Sequence, residues 1–147
     1  MGTRSLTKII ESWENKSGEK ESRPITCMYR QYDGYLDGHG LELAEWLCGY
    51  TVVNGIPMDK TLTTPMFNGM DCLAAQMFAH FKDGAGGIYC MHPDAEDCWE
   101  EYLYEISEID KEIFLTVYEI GYESGAKEVF HGIPEELLTK IEEHVED

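Results

Sequence analysis

Residues 29–40 have the sequence YRQYDGYLDGHG and join a predicted strand to a predicted helix through three glycines. The same segment carries three tyrosines, two aspartates, one arginine and one histidine. Glycine and aspartate alone satisfy the geometry of a tight turn, so these polar side chains are more than a simple turn needs. The segment is therefore the first place to look for a functional site.

A ligand-site interpretation of this segment starts from its glycines. Gly38, His39 and Gly40 at a helix start predict several unpaired backbone N–H groups that point outward, which is the geometry of an anion site. Arg30 would clamp a phosphate or carboxylate, and His39 would add a second donor. One of three tyrosines would stack on a base, namely Tyr29, Tyr32 or Tyr35. This interpretation predicts a phosphate-bearing small molecule or signalling nucleotide as the ligand.

Two other interpretations of the segment remain open. Asp33 and Asp37 add negative charge beside the proposed anion, and they would instead pair with Arg30 if the segment is only a structural turn. In an enzyme, His39 would be a general acid or base oriented by one of these aspartates, with Arg30 stabilising negative charge. No nucleophile completes that arrangement, so no catalytic residue is predicted. The favoured function classes are both binding rather than turnover.

The periodicity of apolar residues predicts the arrangement of helices and strands. The pattern predicts that residues 1–24 form an N-terminal helix, at about 5–14, and a polar linker. It predicts that residues 25–147 form a single domain with an acidic C-terminal third. Within that domain, further helices are predicted at 40–48, at 68–82 and from 133 onward, strands at 25–32, 88–91, 100–107 and 112–120, and an irregular excursion between 54 and 65. The fold class predicted is α+β, with a mainly antiparallel sheet of about four strands, two central helices on one face, and N- and C-terminal helices.

The charge of the chain is strongly negative and unevenly distributed. The 29 acidic and 11 basic residues give a formal net charge of −18. Residues 97–147 hold sixteen acidic residues against three lysines, a net −13. Such a surface repels the phosphates of nucleic acids and of lipid head groups and attracts basic protein surfaces. We therefore expect no direct binding of nucleic acid and no membrane association.

The acidic third predicts a second kind of site, a surface that binds the basic surface of another protein. The residues predicted to contact that partner are Glu135, Glu136, Glu142 and Glu143. The same carboxylates would also serve solubility alone, which is the plainer explanation of a high net charge. Exposed strand edges could also support a homodimer.

The cysteines argue against a disulfide framework and against a metal centre. Their number is five, no two are spaced as Cys-x-x-Cys, and this pattern favours reduced thiols in a cytoplasmic protein. Cys90, His92 and Cys98 would offer only three soft ligands at irregular spacing. No metal and no cofactor are predicted.

Three motifs resemble those of a family of short uncharacterised proteins from bacteria, archaea and their viruses. They are the signature at 29–40, the sequence FNGMDCLAAQ at 67–76 and the sequence EEYLYEI at 100–106. The resemblance covers about residues 25–120, and the family often has proline where this chain has Leu36. It implies a viral or mobile-element origin but transfers no activity. With the acidic surface, it predicts an inhibitor of a host defence or regulatory complex, of the anti-CRISPR type.

Overall fold

The computed structural model of the protein describes residues 2–55 and 65–146. The strands within these ranges are β1 (Ser5–Glu14), β2 (Lys20–Arg30), β3 (Thr51–Val53), β4 (Met66–Asn68), β5 (Ile88–Met91), β6 (Tyr102–Ile109), β7 (Glu112–Gly121) and β8 (Gly125–Gly132). The helices there are α1 (Leu41–Leu47), α2 (Gly69–Phe81) and α3 (Pro134–Glu146), and a π-helical turn, Leu36–Gly40, leads into α1. The irregular excursion predicted for 54–65 lies mostly outside the described residues.

The main sheet is mixed and has the strand order β5-β2-β1-β6-β7-β8. β1 runs parallel to β6, whereas the other neighbouring strands in this sheet are antiparallel. β3 and β4 form a separate, parallel pair. The predicted fold, a mainly antiparallel sheet of about four strands with two central helices, is therefore wrong: the described part of the chain is mostly sheet, with six strands in its larger sheet.

The predicted N-terminal helix is wrong because residues 5–14 are β1, which lies in the sheet between β2 and β6. Leu6 and Ile9 are three residues apart, so a helix would place them on one face, whereas a strand places them on opposite faces. Both are buried, as is Thr7. A strand covered on both faces loses the alternation of apolar and polar residues, and its pattern then imitates that of a helix.

The predicted linker is a tight connection between β1 and β2. The Asn15 side chain accepts hydrogen bonds from the backbone N–H groups of Ser17 and Glu19, at 2.9 and 3.0 Å. This arrangement is a turn stabilised by an asparagine side chain. β2 then begins at Lys20, so the compact body does not start at residue 25. β8 was not predicted from the sequence. It forms one edge of the sheet, and β5 forms the other.

The helices predicted at 40–48 and 68–82 are confirmed as α1 and α2, and the final helix is confirmed as α3. They supply buried side chains to one continuous core with the sheet, including Leu43, Leu73, Met77, Leu137 and Ile141 from the helices. The junction between β2 and α1 lies at the border of this core. No helix in the described ranges is long and apolar enough to cross a membrane.

Candidate functional site

The junction between β2 and α1 is tightly packed against the start of β1. Asp33 has a left-handed backbone (φ 59°), and Gly34 follows it with its N–H bonded to the carbonyl oxygen of Thr3 at 2.9 Å. A Cβ atom on Gly34 would lie only 2.7 Å from Ser5 Cβ. Only glycine fits at this close approach, so the glycine is required by packing.

The backbone N–H groups at the predicted anion site are already bonded. Those of Gly38 and Gly40 donate to the carbonyl oxygen of Tyr35, at 3.0 and 3.4 Å, and that of His39 donates to Asp33 O at 2.8 Å. The expectation of unpaired, outward-pointing N–H groups is therefore wrong, because the π-helical turn uses them. An anion would find no free backbone donors at these three residues.

His39 is fully buried, and both nitrogens of its ring have partners within the protein. Nδ1 lies 2.9 Å from Arg30 Nη1, and Nε2 lies 2.7 Å from Thr7 Oγ1. Because a guanidinium has no acceptor, Nδ1 must accept, and the single ring proton of the neutral histidine lies on Nε2. The ring also packs against the rings of Tyr104 and Phe81, with centroids 5.0 and 5.1 Å away.

This environment keeps the His39 imidazole neutral. Burial, and to a smaller extent the neighbouring Arg30 charge, together lower the pKa of His39 to about 3. Its ring nitrogens contact Arg30 and Thr7 rather than the aspartates that the enzymatic hypothesis required. His39 therefore offers neither an exposed donor for a ligand nor a group that exchanges protons near neutral pH.

Arg30 forms an ion pair that the sequence analysis did not predict. Its guanidinium contacts the Glu42 carboxylate and donates from Nε to the carbonyl oxygen of Tyr32 at 2.8 Å. The predicted pairing with Asp33 or Asp37 is replaced by this contact with the first turn of α1. The spacing of Glu42, three residues after His39, suits a capping box, but the His39 N–H donates to Asp33 O and the carboxylate contacts Arg30 instead.

A cavity of about 490 Å³ opens beside this ion pair. Of the predicted ligand-binding residues, it brings together Arg30, Tyr32 and Asp33. Glu42 and Asp83 also line it, so the wall carries three carboxylates and one guanidinium. The charge of this cavity disfavours a phosphate.

The remaining predicted ligand-binding residues do not converge on this cavity. The Tyr29 hydroxyl donates to Gln31 Oε1 at 2.6 Å, and its ring lies 5.9 Å from that of Tyr89. The Tyr35 hydroxyl contacts Asp33 Oδ1 at 3.3 Å, and the charge of Asp33 raises the pKa of Tyr35. Asp37 is exposed. Of the three tyrosines proposed to stack on a base, only Tyr32 therefore lines this cavity.

The four glutamates predicted to contact a partner all lie on α3, but in two different environments. Glu135 Oε1 accepts the Cys48 thiol at 3.2 Å, and Glu136 Oε1 accepts the Ile133 N–H at 3.2 Å. These two carboxylates stabilise the start of α3, where negative charge is favourable. Glu142 and Glu143 are exposed about two turns later on the same helix. All four are exposed, but only Glu135 and Glu136 make hydrogen bonds to other described residues.

A second cavity, of about 570 Å³, was not predicted from the sequence. It is lined by Arg4, Asp97, Trp99, Glu100, Glu101, Ile120, Gly121 and Tyr122. Trp99 and Tyr122 are among the most exposed large side chains of the described residues. An exposed aromatic residue within an acidic segment is a weak sequence signal, because exposure cannot be deduced from residue type.

Comparisons of the chain with protein-family models, with curated proteins and with solved structures found no match in any of the three.

Proposed function

We propose that this protein is a non-enzymatic binding protein that docks its acidic surface on a basic protein surface, and so inhibits a host defence or regulatory complex. The observation that carries the proposal is an acidic surface without internal neutralisation. Among the side chains that the structure describes, no carboxylate of residues 97–143 lies within ion-pairing distance of a basic group. A partner would supply the missing positive charge.

The exposure of these carboxylates supports the proposal. The exposed acidic residues of this region are Asp97, Glu101, Asp110, Glu112, Glu119, Glu123, Glu128, Glu135, Glu136, Glu142 and Glu143. They are distributed over the loop before β6, over β7 and β8, and along α3. A field of one sign over so much surface steers a partner of opposite charge and raises its association rate. The viral or mobile-element origin implied by the resemblance makes a nucleic-acid-binding defence complex the partner of choice.

The alternative, a phosphate-bearing small molecule at the Gly38-His39-Gly40 helix start, has less support. The N–H groups of these residues are bonded, Arg30 is paired with Glu42, and the adjacent cavity carries more carboxylates than guanidinium groups. Catalysis has less support too, since His39 is buried and neutral. The acidic surface is the better candidate for the contact that performs the function.

The proposal is tested by phage plating on bacterial strains that each carry one CRISPR or restriction system and express this protein. We expect the plating efficiency to rise at least about tenfold with one of these systems. The affinity of the purified complex should also fall as salt rises, because at 0.1 M salt the attraction between exposed charges is largely screened beyond about 10 Å. Unchanged plating with every system would contradict inhibition of host defence.

Two variants of equal net charge locate the contact. The first neutralises exposed acidic residues of the C-terminal third, through Glu123→Gln, Glu128→Gln, Glu142→Gln and Glu143→Gln. The second neutralises exposed acidic residues elsewhere, through Glu14→Gln, Glu19→Gln, Glu45→Gln and Asp83→Asn. Each raises the net charge by four, and we expect only the first to weaken inhibition. An equal loss in both would contradict the assignment to the C-terminal third.

A further inference from the structure

The second cavity combines exposed aromatic rings with carboxylates. Trp99 is 78% exposed and Tyr122 is 98% exposed, although contact of such large aromatic side chains with water is unfavourable. Asp97, Glu100 and Glu101 line the same cavity. Aromatic rings and carboxylates together can bind a cationic side chain, because the ring faces and the carboxylates both attract positive charge.

The walls of this cavity are joined by backbone hydrogen bonds, so they form one built surface. The N–H of Glu101 donates to the carbonyl oxygen of Arg4 at 2.9 Å. The N–H of Ile120 donates to the carbonyl oxygen of Glu101 at 2.8 Å. The segment before β1, the loop before β6 and the end of β7 are thus held together where the cavity opens. The backbone beneath the cavity is therefore already ordered before a partner binds.

The loop that carries Trp99 has an unusual backbone conformation. Asp97 and Trp99 have positive φ angles of 56° and 65°. A bulky residue in this region is a genuine outlier, and such strain persists only where the surrounding structure holds it. The conformation leaves the indole in solvent. The fold thus maintains an exposed ring at a cost in stability.

The carboxylates of the cavity are available to a ligand. Arg4 is the one basic residue among those that line it, and no ion pair joins Arg4 to these carboxylates. Glu100 Oε2 accepts the N–H of Cys98 at 2.7 Å, which fixes that side chain. Asp97 and Glu101 are exposed. Negative charges outnumber positive ones three to one in this wall, within a chain of net charge −18.

We propose that this cavity is the contact point for an arginine side chain on a basic segment of the partner protein. The proposal rests on the proposed function and names the chemistry that the acidic surface recognises. A guanidinium is planar, stacks on aromatic rings, and donates hydrogen bonds in pairs to a carboxylate. Trp99 and Tyr122 supply the rings, and Asp97 and Glu101 supply the exposed carboxylates. An RNA or DNA strand would also stack on the rings, but its phosphates would be repelled by the carboxylates.

The test uses a fluorescently labelled, acetylated heptapeptide of alternating glycine and arginine, and measures its anisotropy on titration with the full-length protein. Peptides with lysine or glutamate in place of arginine are run in parallel. We expect affinity in the order arginine, then lysine, with no binding of the glutamate peptide. Binding of the glutamate peptide, or no binding of the arginine peptide at low salt, would overturn the proposal.

Ring removal separates this cavity from the general charge of the protein, because Trp99→Ala and Tyr122→Ala leave the net charge unchanged. We expect each to weaken arginine-peptide binding about two- to fivefold, the range typical of exposed cation–π contacts. Phenylalanine at either position should retain most of the affinity. The matched control is Tyr32→Ala, which removes a 57% exposed ring outside the cavity and should leave affinity unchanged. Alanine variants that bind as tightly as the unmodified protein would refute the cavity assignment.

A pair of charge variants separates the contribution of the cavity carboxylates from that of the total charge. One combines Asp97→Asn with Glu101→Gln, and the other combines Glu142→Gln with Glu143→Gln on α3. Both raise the net charge by two, and we expect the first to weaken peptide binding more than the second. Equal weakening would show that the arginine peptide responds only to total charge. That result would overturn the cavity assignment while leaving the proposed function of the acidic surface intact.

Discussion

The junction between β2 and α1 and the cavity around Trp99 and Tyr122 contrast in how they use polar and aromatic residues. At the junction, His39 is buried and hydrogen-bonded on both ring nitrogens, and Arg30 is paired with Glu42. At the cavity, Trp99 and Tyr122 project into solvent, and the carboxylates there have no ion-pair partner among the described residues. In the first region, these polar side chains are bonded to one another. In the second region, the rings and carboxylates remain free to contact a partner.

The comparison teaches that a dense polar motif can be a structural element rather than a binding site. The junction joins β1, β2 and α1, because Thr7, Arg30 and Glu42 belong to those three elements and meet around the histidine. Tyr104 adds a fourth element by donating from its hydroxyl to Gly34 O at 2.8 Å. Buried polar networks of this kind specify a unique arrangement when every member is satisfied. We expect mutations there to change stability and mutations at the cavity to change binding.

The largest effect is expected for His39→Ala. The substitution opens a void between Tyr104 and Phe81 and leaves the hydroxyl of Thr7 and the guanidinium of Arg30 without their ring partner. Loss of a buried ring and of its hydrogen bonds predicts a decrease of about 3–5 kcal/mol in the free energy of unfolding. Equilibrium denaturation in urea, followed by circular dichroism, measures the change.

The control for this variant is His92→Ala, since the His92 side chain is 75% exposed. We expect a change within about 0.5 kcal/mol there, as is usual for surface substitutions. A loss for His39→Ala as small as that of the control would show that the hydrogen bonds around His39 do not stabilise the fold. That result would favour the ligand-site interpretation of residues 29–40 over the structural one.

The next effect is a pH dependence that belongs to His39. Its pKa is about 3 in the folded protein, and the usual value is about 6.5, so the unfolded chain binds more protons between these values. Stability is then full above about pH 6.5 and falls as the pH decreases toward 3. Between pH 7.5 and 5.5 the contribution of this residue alone predicts a loss of about 1.4 kcal/mol. Urea denaturation at both pH values measures it.

A difference between variants isolates this contribution from that of the carboxylates. His39→Gln cannot titrate, so its stability should change less between pH 7.5 and 5.5 than that of the unmodified protein. The exposed His92→Gln should retain the full slope. If His39→Gln kept the slope of the unmodified protein, the neutral buried imidazole would be excluded as its source.

Secondary structure near the motif was predictable because local signals and packing agree there. Helices α1 and α2 carry apolar residues at helical spacing and end where glycine or polar residues begin, and both were predicted close to their observed bounds. β1 was not predictable from local pattern, since its burial on both faces depends on β2, β6 and the helices. The parallel pairing of β1 with β6 joins residues about a hundred positions apart. No short-range pattern encodes such a pairing.

The candidate sites were predictable to a different extent. Residue type drew attention to Arg30 and His39, but their partners Thr7 and Glu42 could not be assigned without the register of β1 and the course of α1. The cavity was missed because Arg4, Trp99 and Tyr122 are far apart in sequence. Only the folded chain brings these three segments together. Total charge was evident from composition, whereas the position of unpaired charge required the structure.

The smallest effect is expected from the backbone of Trp99 at the cavity. It tests whether the fold holds this exposed ring at a cost in stability. Because Trp99 has a φ of 65°, Trp99→Gly relieves a left-handed conformation that costs roughly 1–2 kcal/mol in other residues, whereas Trp99→Ala retains it. The greater entropy of glycine in the unfolded chain offsets about half of that gain. We therefore expect Trp99→Gly to exceed Trp99→Ala in stability by about 0.5–1 kcal/mol, measured by thermal denaturation. Both variants should lose peptide affinity equally, because both lack the ring. If the glycine variant were the less stable of the two, the loop would not be strained, and the exposed indole would need no functional explanation.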